Sequence, residues 1–336
     1  MNRMADSGDL FKIVIASDSF KGSLTSKEIA RIASSAAKDV LGDNCECLGV
    51  LVADGGEGTV EALLDARPGR RIDVRTHDAL GREISAYYGA FGDTAVIEMA
   101  KASGLTLIKP SERDLLRAST YGTGEMLLDA SVRGFNKIYL TVGGSATNDG
   151  GMGALEALGA IFYDEKGKRL TGCGGNLEKI ARIDVSDLVT PDVTLLCDVI
   201  SPLTGEHGAA GGLAAGMMCF LNADHRVGID AVLDLIGFDE LIKGADLVIT
   251  GEGRTDVQTL GMKAPMGVAL RAKKAGVPVW LISGIVDGAD DSSIRAGLKD
   301  YGITDIFETS RGIPLDEAMR NAGKNYYETV CEALRR

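Results

Sequence analysis

The stretch 137–158 sets tight limits on the fold. Lys137-Ile-Tyr-Leu-Thr-Val142 is a short run rich in β-branched and apolar residues and reads as a buried strand, and Met152-Gly-Ala-Leu-Glu-Ala-Leu158 reads as a helix. Between them, Thr141-Val-Gly-Gly-Ser-Ala-Thr-Asn-Asp-Gly-Gly151 crowds four glycines, three hydroxyl side chains, one amide and one carboxylate into a single connection. A loop of this kind between strand and helix offers backbone N–H groups and the positive end of a helix dipole, a natural seat for phosphate or carboxylate. Glycines serving only a tight turn would explain Gly143-Gly144 by themselves. They do not explain Ser145, Thr147, Asn148 and Asp149 on the same loop, which point to a ligand.

The same grammar recurs along the chain. Phe11-Lys-Ile-Val-Ile-Ala16 is a strand that runs into Asp18-Ser19-Phe20-Lys21, and Thr25-Ser-Lys-Glu28 has the capping-box form that starts a helix. Leu48–Ala53 reads as a second strand, followed by Asp54-Gly-Gly-Glu-Gly-Thr59 and a helix over 60–66. Ser119–Glu125, with Tyr121-Gly122-Thr123-Gly124 inside it, reads as one more small-residue loop feeding a helix from Met126. Val193–Asp198 is a strand ending in a carboxylate. Ala245–Thr250 leads into Gly251-Glu-Gly-Arg-Thr-Asp256 and a helix over 264–274. Pro278–Ser283 and Asp305–Glu308 complete the strands, and a final helix passes through Tyr326 to Leu334. Open α/β sheets place ligands at the carboxyl ends of their strands, where these loops fall. Structural readings stand beside the functional ones: Asp54 could cap a helix, Lys21 could be solvated, Asp198 could start a turn, and Tyr121–Gly124 could be helix-start chemistry.

The texture changes between Ile72 and Leu107. Ile72–Val74, Ile84–Phe91 and Thr94–Met99 alternate like half-buried strands, with a turn at Asp78–Arg82, so this part is antiparallel or mixed. The polar stretch Arg67-Pro-Gly-Arg-Arg71 marks the change. The expected architecture is α/β: a doubly wound parallel sheet built discontinuously from residues 11–68 and 240–336, and a second α/β domain with a mixed sheet inserted as residues 69–239.

Composition narrows the chemistry. A chain of 336 residues, 45% hydrophobic and 25% charged, is long enough for two globular domains, and its net charge of -12 argues against nucleic acid or an anionic membrane as partner. Six dispersed cysteines form neither a zinc motif nor a small disulfide framework and read as reduced thiols, and the three histidines lack ligand spacing. Met1–Leu10 shows no apolar core of a signal peptide, and no apolar run approaches the roughly 18 residues of a membrane span, so a cytoplasmic protein is expected.

Taken together, the loops supply Asp18, Ser19, Lys21, Asp54, Thr123, Ser145, Thr147, Asn148, Asp149, Asp198, Glu252, Arg254 and Lys263. Carboxylates for a metal or a proton, hydroxyls and glycines for oxygen-rich ligands, and a few cations make up the inventory of phosphoryl transfer, which needs positioning and charge neutralisation more than a strong nucleophile. Neither the P-loop nor the dinucleotide-binding glycine fingerprint is present.

Asp18-Ser-Phe-Lys-Gly-Ser23, Ala53-Asp-Gly-Gly-Glu-Gly-Thr59, Tyr121-Gly-Thr-Gly-Glu125, Gly143–Gly151, Cys197-Asp198, Gly208-Ala-Ala-Gly-Gly-Leu213 and Gly251-Glu-Gly-Arg254 with Gln258-Thr259 occur in an order that resembles the glycerate kinase type 1 family, from Lys12 to about Gly284. The resemblance implies ATP-dependent phosphorylation of D-glycerate at the 2-hydroxyl with Mg2+, a flavodoxin-like domain plus an inserted mixed-sheet domain, and an active site in the cleft between them. Expected partners are glycerate and ATP; a homodimer stays open.

On this reading Asp198 orients or deprotonates the acceptor hydroxyl and Lys21 neutralises charge. Asp18, Ser19, Asp54, Gly55, Thr147, Asn148 and Arg254 bind substrate, and Gly122, Thr123, Gly143, Gly144 and Ser145 bind phosphate. Asp149 and Glu252 hold the metal. The chain departs from the family pattern in two places. Gly205-Glu-His207 passes directly into Gly208–Leu213, where the family carries several tens of further residues, and Leu260-Gly-Met-Lys263 stands where it usually reads His-Gly-Lys. The alternative is a carboxylate-binding or sensor protein that kept the loops and lost turnover.

Overall fold

In the computed structural model, residues 10–197, 209–288 and 292–336 are described. The chain forms two compact units, Met1–Asp54 with Val232–Arg336, and Gly55–Ala231. No helix among the described residues is long and apolar enough to cross a membrane.

The first unit opens with β1 (Phe11–Ile15), whose last three residues are buried on both faces, as befits the interior of a parallel sheet. In α1 (Ser26–Leu41) the capping box forms as read: Glu28 N–H donates to Thr25 Oγ1 at 3.2 Å and Thr25 N–H donates to Glu28 Oε2 at 2.8 Å. The next strand, β2 (Cys45–Gly49), lies earlier than the apolar run Leu48–Ala53 suggests. Its register explains the difference, because β1 ends at Ile15 and Gly49 is the residue paired with it. Only Val50 adds a bond, to the Ile15 carbonyl at 2.8 Å, before the chain leaves the sheet.

The second unit begins with α2 (Thr59–Ala66) and an antiparallel meander of β3 (Arg70–His77), β4 (Glu83–Phe91) and β5 (Thr94–Glu98). Arg70 and Arg71, read from sequence as part of a break, open β3 instead. The strand is an edge, where charged side chains are tolerated, and Arg71 lies 3.6 Å over the Tyr87 ring. The Asp78–Arg82 turn closes as expected, with the Asp78 carboxylate accepting from Leu80 N and Arg82 N at 2.9 and 3.0 Å. There follow α3 (Tyr121–Val132), β6 (Lys137–Thr141), α4 (Met152–Ala157), β7 (Val193–Cys197), α5 (Leu213–Leu221) and β8 (Asp224–Val227). The sheet runs β8-β7-β6-β5-β4-β3, parallel from β5 to β8 and antiparallel beyond, so it is mixed. Tyr88, Met99, Met126, Leu127, Ile138 and Leu140 lie in its core.

The chain then returns to the first unit with β9 (Leu247–Thr250), α6 (Ala264–Lys274), β10 (Val279–Ser283), α7 (Ser292–Tyr301), β11 (Ile303–Glu308), α8 (Leu315–Arg320) and α9 (Ala322–Arg335). The five strands are parallel in the order β11-β10-β9-β1-β2, which is the flavodoxin-like 2-1-3-4-5 arrangement. Ile13, Ile15, Leu247 and Ile249 point to one face, where Ile29 and Ala33 of α1 meet Tyr326, Val330 and Leu334 of α9. Val14 and Val248, alternating with them, are buried on the other. The chain reverses direction of winding between β1 and β9, and this switch point is where a doubly wound sheet opens a crevice for ligands.

Candidate active site

A cavity of about 370 Å3 lies at that point, wholly within the doubly wound unit. Each strand contributes through the chain that leaves it. Asp18, Ser19 and Lys21 follow β1, Asp54 follows β2, and Glu252, Arg254 and Asp256 follow β9. Gly284 follows β10, and Thr309 and Ser310 follow β11. Backbone bonds tie these loops into one platform: Asp18 N–H donates to Gly251 O (2.9 Å), Gly284 N–H to Glu252 O (3.2 Å) and Thr309 N–H to Ser283 O (2.9 Å). Arg254–Thr255 also pairs in parallel with Ile285–Val286.

The carboxylates differ in what holds them. Ser19 N–H donates to Asp18 Oδ1 at 2.7 Å. Burial, and after it the charge of Asp54, nevertheless pushes the Asp18 carboxyl up to about 6, while Ser19 and Lys21 pull it down. Desolvation also raises Glu252. Two buried hydroxyls hold Glu252, which lines the cavity, with Thr259 Oγ1 and Thr255 Oγ1 donating to Oε1 at 2.7 and 3.3 Å. Lys21 is exposed, whereas Lys263 is half-buried at the start of α6, close enough to Glu252 to lower its pKa. Arg254 lines the rim, but its guanidinium is already bound to Asp287 through Nε at 2.7 Å, so its charge is largely satisfied within the protein. The cavity thus collects Asp18, Ser19, Lys21, Asp54, Arg254, Glu252 and Lys263 from the residues singled out in the sequence.

The other singled-out residues belong to the second unit, and several serve its packing. Gly122 and Thr123, expected on a phosphate loop, lie inside α3. Thr123 is fully buried and shares a hydrogen bond with Ser103 at 2.8 Å. A Cβ on Gly122 would sit 1.9 Å from the His77 carbonyl oxygen, so the glycine is there to let the helix touch β3. Glu125, the last residue of the same motif, completes the contact by accepting from His77 N at 3.0 Å and Thr76 Oγ1 at 2.8 Å.

Asp149, expected on a metal, is buried among donors. Thr120 N, Thr120 Oγ1 and Gly153 N donate to its Oδ2 and Gly151 N to its Oδ1, between 2.8 and 3.1 Å. Four donors engage both oxygens of the carboxylate and give it the work of joining the starts of α3 and α4. Ser145 and Thr147 bond one another through their hydroxyls at 2.8 Å. Asn148 is exposed. A Cβ on Gly211 would meet the Thr147 carbonyl oxygen at 2.0 Å, so Gly211 packs directly on the loop 147–151. Gly55 is buried against Gly228, Gly143 faces Gly56, and exposed Gly144 accepts from Leu105 N at 2.8 Å. Asp198 lies outside the described residues.

Comparison with known proteins turns this geometry into a family. The model of the glycerate kinase family matches residues 13–210 and 206–336. The chain belongs to the glycerate kinase family. It is 39% identical over 361 residues to a glycerate kinase of Halalkalibacterium halodurans, covering 92% of this chain and 93% of that one. To the glycerate 2-kinase of Escherichia coli K12 it is 37% identical, covering 96% of each. A crystal structure described as glycerate kinase 2 of Salmonella typhimurium LT2 superposes with a TM-score of 0.80 at 35% identity, over 97% of this chain and 98% of that one. The two family matches meet at 206–210, where the sequence passes directly from Gly205-Glu-His207 into Gly208–Leu213.

Sequence reasoning missed part of the lining of this cavity. Thr309 and Ser310 follow β11 as Asp18 follows β1, and that equivalence of position was the available signal. Leu315, Ala318 and Met319 of α8 form an apolar wall of the same cavity, and nothing in their local sequence marks them.

Proposed function

We propose that the chain is an ATP-dependent kinase that phosphorylates D-glycerate at its 2-hydroxyl to give 2-phosphoglycerate. The observation that carries this reading is the convergence of Asp18, Asp54 and Glu252 with Lys21 and Lys263 in one cavity at the switch point of the sheet, in a chain of the glycerate kinase family. Acceptor hydroxyl and phosphoryl group both need such neighbours, a carboxylate for the proton and cations for the charge. The new bond joins the acceptor oxygen to the γ-phosphorus, the bond from that phosphorus to the ADP oxygen breaks, and the hydroxyl proton passes to a carboxylate. Asp198 is the sequence-level choice for that proton. Among the described carboxylates Asp18 suits it best, because a pKa of about 6 lets it accept a proton near neutral pH and release it again. Lys21 and Lys263 meet the charge of the phosphoryl oxygens.

The donor set also fits magnesium. Among the described residues no group of three or more His, Cys, Asp or Glu side chains could cage a metal. Magnesium needs no such cage, since it is usually held through one or two carboxylates together with substrate phosphates. Glu252 and Asp54 would hold it there, and its charge would neutralise the bound phosphates.

The test is release of ADP from Mg-ATP in the presence of D-glycerate. Release is expected to depend on both glycerate and magnesium. Absence of release, while glycerate still raises the melting temperature, would sink the kinase and favour a sensor.

A further inference from the structure

Cys45-Glu46-Cys47 opens β2 and sets two thiols two residues apart on one strand. Residues so spaced share a face of the sheet, and the packing shows which face it is. A Cβ on Gly49, the next residue in the same row, would lie 2.8 Å from the Ala30 Cβ of α1. Cys45 and Cys47 both pack against the core that contains Ile29, Ala33 and Ala37 of that helix, while Glu46 between them is exposed. β2 is an edge of its sheet, with Cys45 beside Phe11 and Cys47 beside Ile13 of β1. Both thiols are free and half-buried. They lie at the amino end of their strand, whereas the cavity of the candidate active site collects the carboxyl ends.

The two side chains act on one another. Burial, and after it the charge and the hydrogen bond of Cys45, push the Cys47 thiol up to about 11, while the Ser34 hydroxyl and Lys38 of α1 pull it down. Cys45 Sγ also donates to the Gly42 carbonyl at 3.5 Å. Cα atoms two residues apart on a strand are about 6.5–7 Å apart, at the upper end of the roughly 4.4–6.8 Å that a disulfide spans. A direct S–S bond would strain the strand, and a thiol with so little thiolate is slow to oxidise. One atom placed between the sulfurs relieves that strain. The number of donors says which atom. Among the described residues no third His, Cys, Asp or Glu joins the pair in a group that could hold a metal. Zinc takes four such donors in a structural site and is not served. Two soft thiolates by themselves suit a soft cation of low coordination number, of which Cu(I) is the type.

We propose that Cys45 and Cys47 form a two-thiolate site for a soft monovalent cation such as Cu(I), held between the edge strand β2 and α1. On binding, two S–H bonds release their protons to solvent and two S–Cu bonds form, with no change of oxidation state. The cation makes both thiolates favourable in spite of their burial, because its binding is coupled to loss of the protons. The site does not depend on the reading of the chain as a kinase.

Anaerobic competition between the full chain and bicinchoninate for Cu(I) tests the site, on the wild type, Cys45→Ser, Cys47→Ser, the double variant and Cys219→Ser. Serine keeps the size of the side chain and removes the soft donor, and circular dichroism checks the fold. Cys45→Ala and Cys47→Ala repeat the measurement if serine disturbs the packing. Cys219, exposed on α5, controls for a thiol that binds by itself. The expected result is a single tight Cu(I) per chain, weakened about a hundredfold or more by either change at 45 or 47, retained within about twofold in Cys219→Ser, and not displaced by an equal concentration of Zn(II). Weakening by only one of the two changes, loss in Cys219→Ser, displacement by Zn(II), or Cu(I) held no more tightly than by the double variant overturns the proposal and leaves the pair as packing.

Discussion

Asp18 sits where a carboxyl is expensive to ionise. Its pKa is about 6 in the folded chain against 3.8 without those surroundings, so the native state binds the proton more tightly than the unfolded one. The side chain therefore supports folding fully below about pH 4 and withdraws that support as pH rises through 6. Asp18→Asn, which cannot ionise, should be more stable than wild type at pH 8 by on the order of 1–3 kcal/mol, with the gain gone at pH 4. Melting temperatures across that range measure it, and a gain independent of pH would show that Asp18 is not the group responsible. The same substitution should lower turnover by about a hundredfold or more if Asp18 takes the acceptor proton. Asp149 shows the limit of residue-level reading. Its type and its glycine neighbours suit a metal ligand, and only the four donors around it show that its oxygens are already engaged.

At the scale of elements, α3 is where sequence and structure part. Tyr121-Gly-Thr-Gly-Glu125 reads as a loop because glycines lower helix propensity. The helix starts at Tyr121 nonetheless, because Gly122 lets its backbone lie on β3, with Glu125 bonding His77 and Thr76 across the join. Such a use of glycine depends on what stands opposite it, which no local pattern contains. Gly122→Ala should therefore destabilise the second unit by about 1–3 kcal/mol even though alanine is the better helix former. Denaturant unfolding reads the sign, and a stabilised variant would contradict the packing account. Elements set by apolar periodicity and caps were legible: β1, the capping box of α1, and α6 over the full range 264–274. β2 was displaced because its position follows the length of its partner strand, which is not a property of its own residues.

At the scale of the molecule, the α/β class, with one doubly wound parallel sheet and one mixed sheet, was readable from the order of strands and helices. So was the gathering of Asp18, Lys21, Asp54 and Glu252 at strand ends, since that is where such sheets bind ligands. The apolar wall of α8 was not readable, because it arrives at the cavity by tertiary packing from a helix far along the chain. The central claim is transfer of a phosphoryl group to the 2-hydroxyl of D-glycerate. Proton-coupled phosphorus NMR of the product tests it most directly, because a phosphate on the 2-oxygen couples to one methine proton and one on the 3-oxygen to a methylene pair. With Mg-ATP and D-glycerate, a doublet growing in step with ADP is expected. A triplet would place the phosphate on the 3-oxygen, and no new ester signal at all would contradict the claim outright.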